Sequence, residues 1–197
     1  MVQDLIGTWK TFLKEGSFLL TSSELPKKFT GIIQVKPSDV LFLRDLQDKI
    51  IGLLPDQKPI DKLHVTLLHQ SIPKVVYSKS MFDQAGFPLR GDKALKKFFK
   101  SQKGKDVLPP YLEFGELGIV EQDGRTSTYI KIVNEEDMRR FLSFVFDQVG
   151  LNQDEILSAS LGEPREAGRI FHISLTNLTG SPGDSVANIS SGTELEL

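Results

Sequence analysis

The chain has 197 residues, 39% apolar and 25% charged, with a formal net charge of −2 and three histidines. That is enough apolar chain to bury the core of one domain with appendages, and the charge balance argues against a broad basic nucleic-acid footprint while leaving room for a local patch. With no cysteine, disulfides, thiolate metal sites and a cysteine nucleophile are excluded, and a reducing compartment suits the chain.

The first residues carry Asp4 and lack a basic start followed by an apolar run, so they do not read as a secretory signal. No apolar stretch approaches the ~20 residues that span a bilayer. A cytoplasmic location without membrane contact is the expectation. Residues 3–15 are predicted to form an amphipathic helix, with Leu5, Ile6, Trp9, Phe12 and Leu13 at helical spacing and Gly16 at its end. It is read as an appendage, residues 1–27, packed on the main domain; a helix that binds a partner is the alternative.

From Lys28 to Lys36 the chain alternates as a strand. Ile33 and Val35 point one way, and Thr30, Ile32, Gln34 and Lys36 the other. Pro37-Ser38-Asp39 opens a helix, with Ser38 or Asp39 as its cap and Leu43, Leu46, Ile50 and Leu54 as its buried stripe. Pro55 and Pro59 mark a loop. The phrase Leu63-His64-Val65-Thr66-Leu67 follows. Its apolar-His-apolar-hydroxyl-apolar order is a strand pattern of period two.

Residues 71–90, with Pro73, Gly86 and Pro88, read as loop with short elements. A Lys-rich helix is predicted over 92–102, with Leu95, Phe98 and Phe99 on its apolar side. Lys93, Lys96, Lys97, Lys100, Lys103 and Lys105 gather there. A solvated helix face is the ordinary meaning of such a run, and the edge of a phosphate-binding groove is the sharper one. A hairpin is predicted over 111–133, turning at Gln122-Asp123-Gly124-Arg125. The next helix starts at Asn134-Glu135-Glu136-Asp137, buries Met138, Phe141, Leu142, Val145 and Val149, and ends at Gly150. Residues 151–168 read as a linker with a short helix before Gly162.

The second histidine phrase is Phe171-His172-Ile173-Ser174-Leu175, on a strand over about 169–177. The main domain is therefore set at 28–177. The Gly-, Ser- and Pro-containing residues 178–197 read as loop or mobile tail. Strand, helix and histidine strand recur in that order in each half. In each histidine strand the imidazole and the hydroxyl leave one face and the apolar residues leave the other. Two such strands side by side make a symmetrical four-residue site.

On these residues, His64 with Thr66 and His172 with Ser174, the chain resembles the two-histidine (2H) phosphoesterases, the LigT-like cyclic phosphodiesterases. The resemblance covers about residues 28–177. It implies an α+β, bilobed, pseudo-twofold fold, with an antiparallel sheet in each lobe, helices outside and the histidines in a central cleft. It also implies metal-free hydrolysis of a 2′,3′-cyclic phosphate on an RNA end or a nucleotide. No cofactor is expected, and a monomer is expected. Alternatives on the same scaffold are cleavage of cyclic di- or oligonucleotide signals, RNA-end ligation or processing, and a catalytically silent RNA- or nucleotide-binding module.

The chemistry suits the residues. Opening a cyclic phosphodiester with water needs one proton removed and one delivered, and two histidines can divide those tasks. Thr66 and Ser174 can donate hydrogen bonds to the non-bridging oxygens. Which histidine is the base is open. His64 and His172 together could ligate zinc, but no third ligand has motif-like spacing. Face parity nominates further contacts: Tyr129 to stack on a base, Lys131 to balance phosphate charge, and Gln34 and Lys36 to line the cleft. For each, an ordinary strand residue is the alternative. Arg169 is a weaker candidate, and His69, opposite in parity to His64, is read as structural.

Overall fold

The computed structural model describes residues 20–25, 32–36, 38, 40–67, 77–82, 88–101, 104, 106–150 and 170–186. The expected helix over 3–15, the linker over 151–168, His69 and Arg169 lie outside these. In chain order the elements are β1 (Leu20–Thr21), β2 (Ser23–Glu24), β3 (Ile32–Val35), α1 (Val40–Leu53), β4 (Lys58–Pro59), β5 (His64–Thr66), β6 (Tyr77–Phe82), β7 (Pro88–Arg90), α2 (Gly91–Lys100), β8 (Leu112–Gln122), β9 (Arg125–Ile132), α3 (Glu135–Val149) and β10 (His172–Asn177).

Alternation decides the strands. Ile33, Val35, Val65, Ile130, Ile132, Ile173 and Leu175 leave one face and are each at most 4% exposed. Against that face α1 packs Leu43, Leu46 and Ile50, and α3 packs Met138, Phe141, Leu142, Val145 and Phe146. Taking such a side chain out of water is worth about 1.5–3 kcal/mol. A one-residue slip would turn the whole apolar set to the other face, so the register of each histidine strand is held by its neighbours. The hairpin turns at Asp123 (φ 53°) and Gly124 (φ 72°). Two consecutive positive φ values are what a two-residue type I′ turn demands. Helix α3 starts with Glu135, Glu136 and Asp137 and stops at left-handed Gly150, whose N–H reaches Phe146 O and Asp147 O.

The strands form one antiparallel sheet in the order β1-β8-β9-β10-β5-β3-β2, with β4 also on β10. The mixed α+β class is as expected. A separate sheet for each half is not what is seen: β5 of the first half and β10 of the second pair directly, Val65 opposite Ile173.

The two margins of the sheet also meet. Strands β1 and β2 are separated by Ser22 alone, yet β1 pairs with β8 at one margin and β2 with β3 at the other. Lys36 N also donates to Ser22 O at 3.0 Å. Residues 20–24 therefore strap the margins together and are part of the sheet, not of an appendage. Helices α1 and α3 pack on one face of this sheet, and the histidines stand on the other.

Strands β6 and β7 pair with each other. Helix α2 packs on α3 and on this small hairpin, with Ala94 and Phe98 in the main core. Its Lys93, Lys96, Lys97 and Lys100 are exposed on the helix side of the sheet. They do not border the histidine face; Lys103 and Lys105 lie outside the described residues.

Residues 178–186, expected as the start of a loop or tail, fold back on the sheet. Asn177 Nδ2 donates to Ser181 O (2.7 Å) and Ser185 Oγ (3.0 Å), while its Oδ1 accepts from Thr179 N and Gly180 N. Val186 N then donates to Ser127 Oγ at 3.1 Å, and its side chain is 4% exposed against Tyr129, Val120 and Ile170. One asparagine thus satisfies a turn that composition reads as loose. Among the described residues no helix is long and apolar enough to cross a membrane.

Candidate active site

The site lies on the two innermost strands. Val65 and Ile173 are opposite one another on β5 and β10 and point to the core, both 0% exposed. Carrying this antiparallel register one residue each way sets His64 beside Ser174 and Thr66 beside His172. All four side chains leave the face opposite Val65 and Ile173, as the shared parity of each motif predicts. Direct neighbours in such a pair have Cβ atoms about 4.5–5.5 Å apart and diagonal ones about 7–8 Å. The two histidines therefore occupy one diagonal of a square and the two hydroxyls the other.

Each ring is held in the same way. His64 Nδ1 lies 2.8 Å from Lys62 O, and His172 Nδ1 lies 3.1 Å from Ile170 O. A carbonyl oxygen only accepts, so each Nδ1 carries a hydrogen and donates it. Nε2 of each ring then carries a lone pair when the ring is neutral and an N–H when it is charged. In both halves the residue just before the histidine ties its strand to the outer neighbour, Val35 N to Leu63 O and Ile132 N to Phe171 O. The carbonyl two residues before the histidine then holds the ring. Sequence reasoning did not find Lys62 and Ile170 as ring anchors, because they act through backbone oxygens.

The outer strands extend the square. On β3, Gln34 pairs with His64 and Ile32 with Thr66. On β9, Lys131 pairs with His172 and Tyr129 with Ser174. Gln34 and Lys131 are thus equivalent under the twofold relation, each beside a histidine. Both are partly exposed, while Lys36 is exposed, two positions beyond Gln34.

Tyr129 shares the face but does not offer its ring for stacking. It is 1% exposed, and its ring meets the His172 ring edge to face at a centroid distance of 5.6 Å and 69°. The cause lies in its neighbours. Gly118 is its partner on β8, and a Cβ there would overlap the Tyr129 ring, with Cε1 at 2.7 Å. Glycine lets the ring lie across β8, and Val186 covers it. Tyr129 is therefore a wall of the His172 side.

A bulge follows Ser174. β10 pairs Ser174 with Tyr129 and then Thr176 with Thr128, so Leu175 is extra on its strand. Leu175 O is satisfied from the first half of the chain, by Ile60 N (3.0 Å) and by Gln47 Nε2 of α1. Gln47 is 1% exposed and also donates to Ile60 O at 3.0 Å. Arg44 Nη1 reaches Gln47 Oε1 (2.8 Å) and Ile60 O (2.9 Å). This polar knot fixes the approach to β5 against the bulge in β10, and so places His64 relative to Ser174. A buried glutamine inside an apolar helical stripe was the available signal.

Among the described residues no three His, Asp or Glu side chains form a group that could hold a metal ion. Compared with protein families, curated proteins and solved structures, the chain matches none.

Proposed function

We propose that the chain is a 2H-type phosphodiesterase that opens a 2′,3′-cyclic phosphate on a nucleotide or RNA end without a metal ion. The observation that carries this reading is the diagonal pair of histidines, each with Nδ1 tied to a backbone carbonyl, across from two hydroxyls. In-line displacement at phosphorus needs the entering and leaving oxygens on opposite sides. Diagonal histidines meet that need. One neutral Nε2 takes a proton from water as the water oxygen bonds to phosphorus. The other Nε2–H protonates the ribose oxygen as its bond to phosphorus breaks, leaving a phosphomonoester and a free hydroxyl. Thr66 and Ser174 donate to the non-bridging oxygens, where charge shifts in the transition state. The bilobed 2H architecture belongs to the same reading, with the lobes joined at β5 and β10.

The test is an assay in EDTA against 2′,3′-cyclic mononucleotides, RNA carrying a cyclic end, and cyclic dinucleotides, with His64→Ala/His172→Ala as control. Turnover of a 2′,3′-cyclic phosphate by the wild type alone supports the proposal. Turnover of cyclic dinucleotides alone moves the substrate class. Binding without turnover of any of them makes the chain a binding module.

A further inference from the structure

The twofold relation that makes the histidines equivalent breaks down one step outward, in charge. Lys36 follows Val35 as Val133 follows Ile132, and Lys62 precedes Leu63 as Ile170 precedes Phe171. The His64 side thus ends in two lysines, both exposed, and the His172 side in Val133 and buried Ile170. Val35 N bonds to Leu63 O and carries the β3–β5 ladder one step beyond Gln34–His64, and the two lysines are the next residues past that step, one on each strand. Like charges set opposite each other in a sheet are destabilising. Neither lysine is ion-paired among the described residues. Of the acids on this face, Glu24 is set beside Gln34 and Glu113 beside Val133, neither of them between the lysines.

We infer that Lys36 and Lys62 form a second phosphate subsite, which takes the 5′-phosphate of the nucleotide whose cyclic phosphate is opened. The inference rests on the proposed hydrolase reading and narrows its substrate to nucleotides phosphorylated on the 5′ side, such as the last residue of an RNA chain. The lysine row stands two strand residues from the His64–Ser174 row, about 6.6–6.8 Å. That is the scale on which phosphates succeed one another along a nucleotide backbone, and a four-carbon stem adjusts the remainder. An anion there relieves the repulsion between the lysines. The apolar Val133–Ile170 end offers a phosphate nothing. The substrate is therefore oriented, with its 5′ side toward His64.

The experiment compares adenosine 2′,3′-cyclic phosphate bearing a 5′-phosphate with the same compound bearing a 5′-hydroxyl. Turnover is read as the ratio of kcat/KM values in the wild type and in Lys36→Gln/Lys62→Gln. Binding of both compounds is measured by calorimetry on His64→Ala/His172→Ala, with and without the lysine changes. The wild type is expected to favour the 5′-phosphorylated compound by at least about tenfold at low salt, and the lysine changes to bring the ratio near one. Added salt should shrink the preference in the same direction. Equal turnover of both compounds by the wild type would overturn the subsite and leave the hydrolase reading standing. Turnover of neither, with a lysine-dependent binding preference, would uphold the subsite and overturn the hydrolase reading.

Discussion

Val65 and Ile173 face each other across the central strand pair, both fully buried, and each stands between a histidine and a hydroxyl on its own strand. The histidine face is therefore set from behind. Apolar side chains packed on α1 and α3 choose the register, and the register assembles the square.

The first expectation follows from the division of labour between the rings. His64→Ala and His172→Ala should each lower kcat by about 10²-fold or more. The double variant should lose less than the product of the two single losses, because the groups act as a unit. Steady-state kinetics on variants with wild-type circular dichroism decide this. A folded single variant with near-normal kcat would remove that ring from the mechanism.

The second concerns pH and chelation. Activity should survive exhaustive dialysis against EDTA and follow a bell-shaped profile. It falls on the acid side as the base ring gains its proton and on the alkaline side as the acid ring loses its own. Residual activity of each single variant should keep one limb of the bell, and the missing limb identifies the role of the ring removed. Loss of activity on chelation, restored by stoichiometric zinc, would refute the metal-free route.

A third bears on the knot behind the bulge. Gln47→Leu keeps the size of the side chain but deletes the donor to Leu175 O and Ile60 O. The expected loss of stability is about 1–3 kcal/mol, read from urea unfolding. Turnover should fall with it, since the bulge aims Ser174. An unchanged unfolding midpoint would show that Ile60 N and Arg44 suffice.

A fourth tests the wall beside His172. Gly118→Ala forces the Tyr129 ring to move and should cost about 1–3 kcal/mol through overpacking. The same change in a Tyr129→Leu background should cost clearly less, a coupling that a double-mutant cycle of unfolding energies measures. Equal costs in both backgrounds would mean that the ring has another way to lie.

Much of this was legible in the chain. The two His-x-hydroxyl phrases announce their parity, and Asp123-Gly124 announces its hairpin. The stripe Leu43, Leu46 and Ile50 announces its helix. Each is a local pattern that local geometry enforces. What stayed hidden depends on partners distant in sequence. Tyr129 has the right parity for the site, but its burial is decided by Gly118 and Val186. The bulge at Leu175 depends on Gln47 and Ile60 in the other half. Strands β1 and β2 have two residues each, too few to show a period, and they exist because both margins of the sheet need a partner.

The strap over residues 20–24 has a kinetic consequence. During synthesis it emerges roughly ninety residues ahead of its β8 partner, Glu113. Closing so long a loop is entropically costly until the intervening strands have collapsed. The strap should therefore dock late and be among the first segments to release on unfolding. Amide hydrogen exchange at Leu20–Glu24 would then report an opening that leaves β5 and β10 protected. Until it docks, β3 and β8 present bare edges of the kind on which chains aggregate. A few residues near the start of the chain would then govern how safely the rest of it folds.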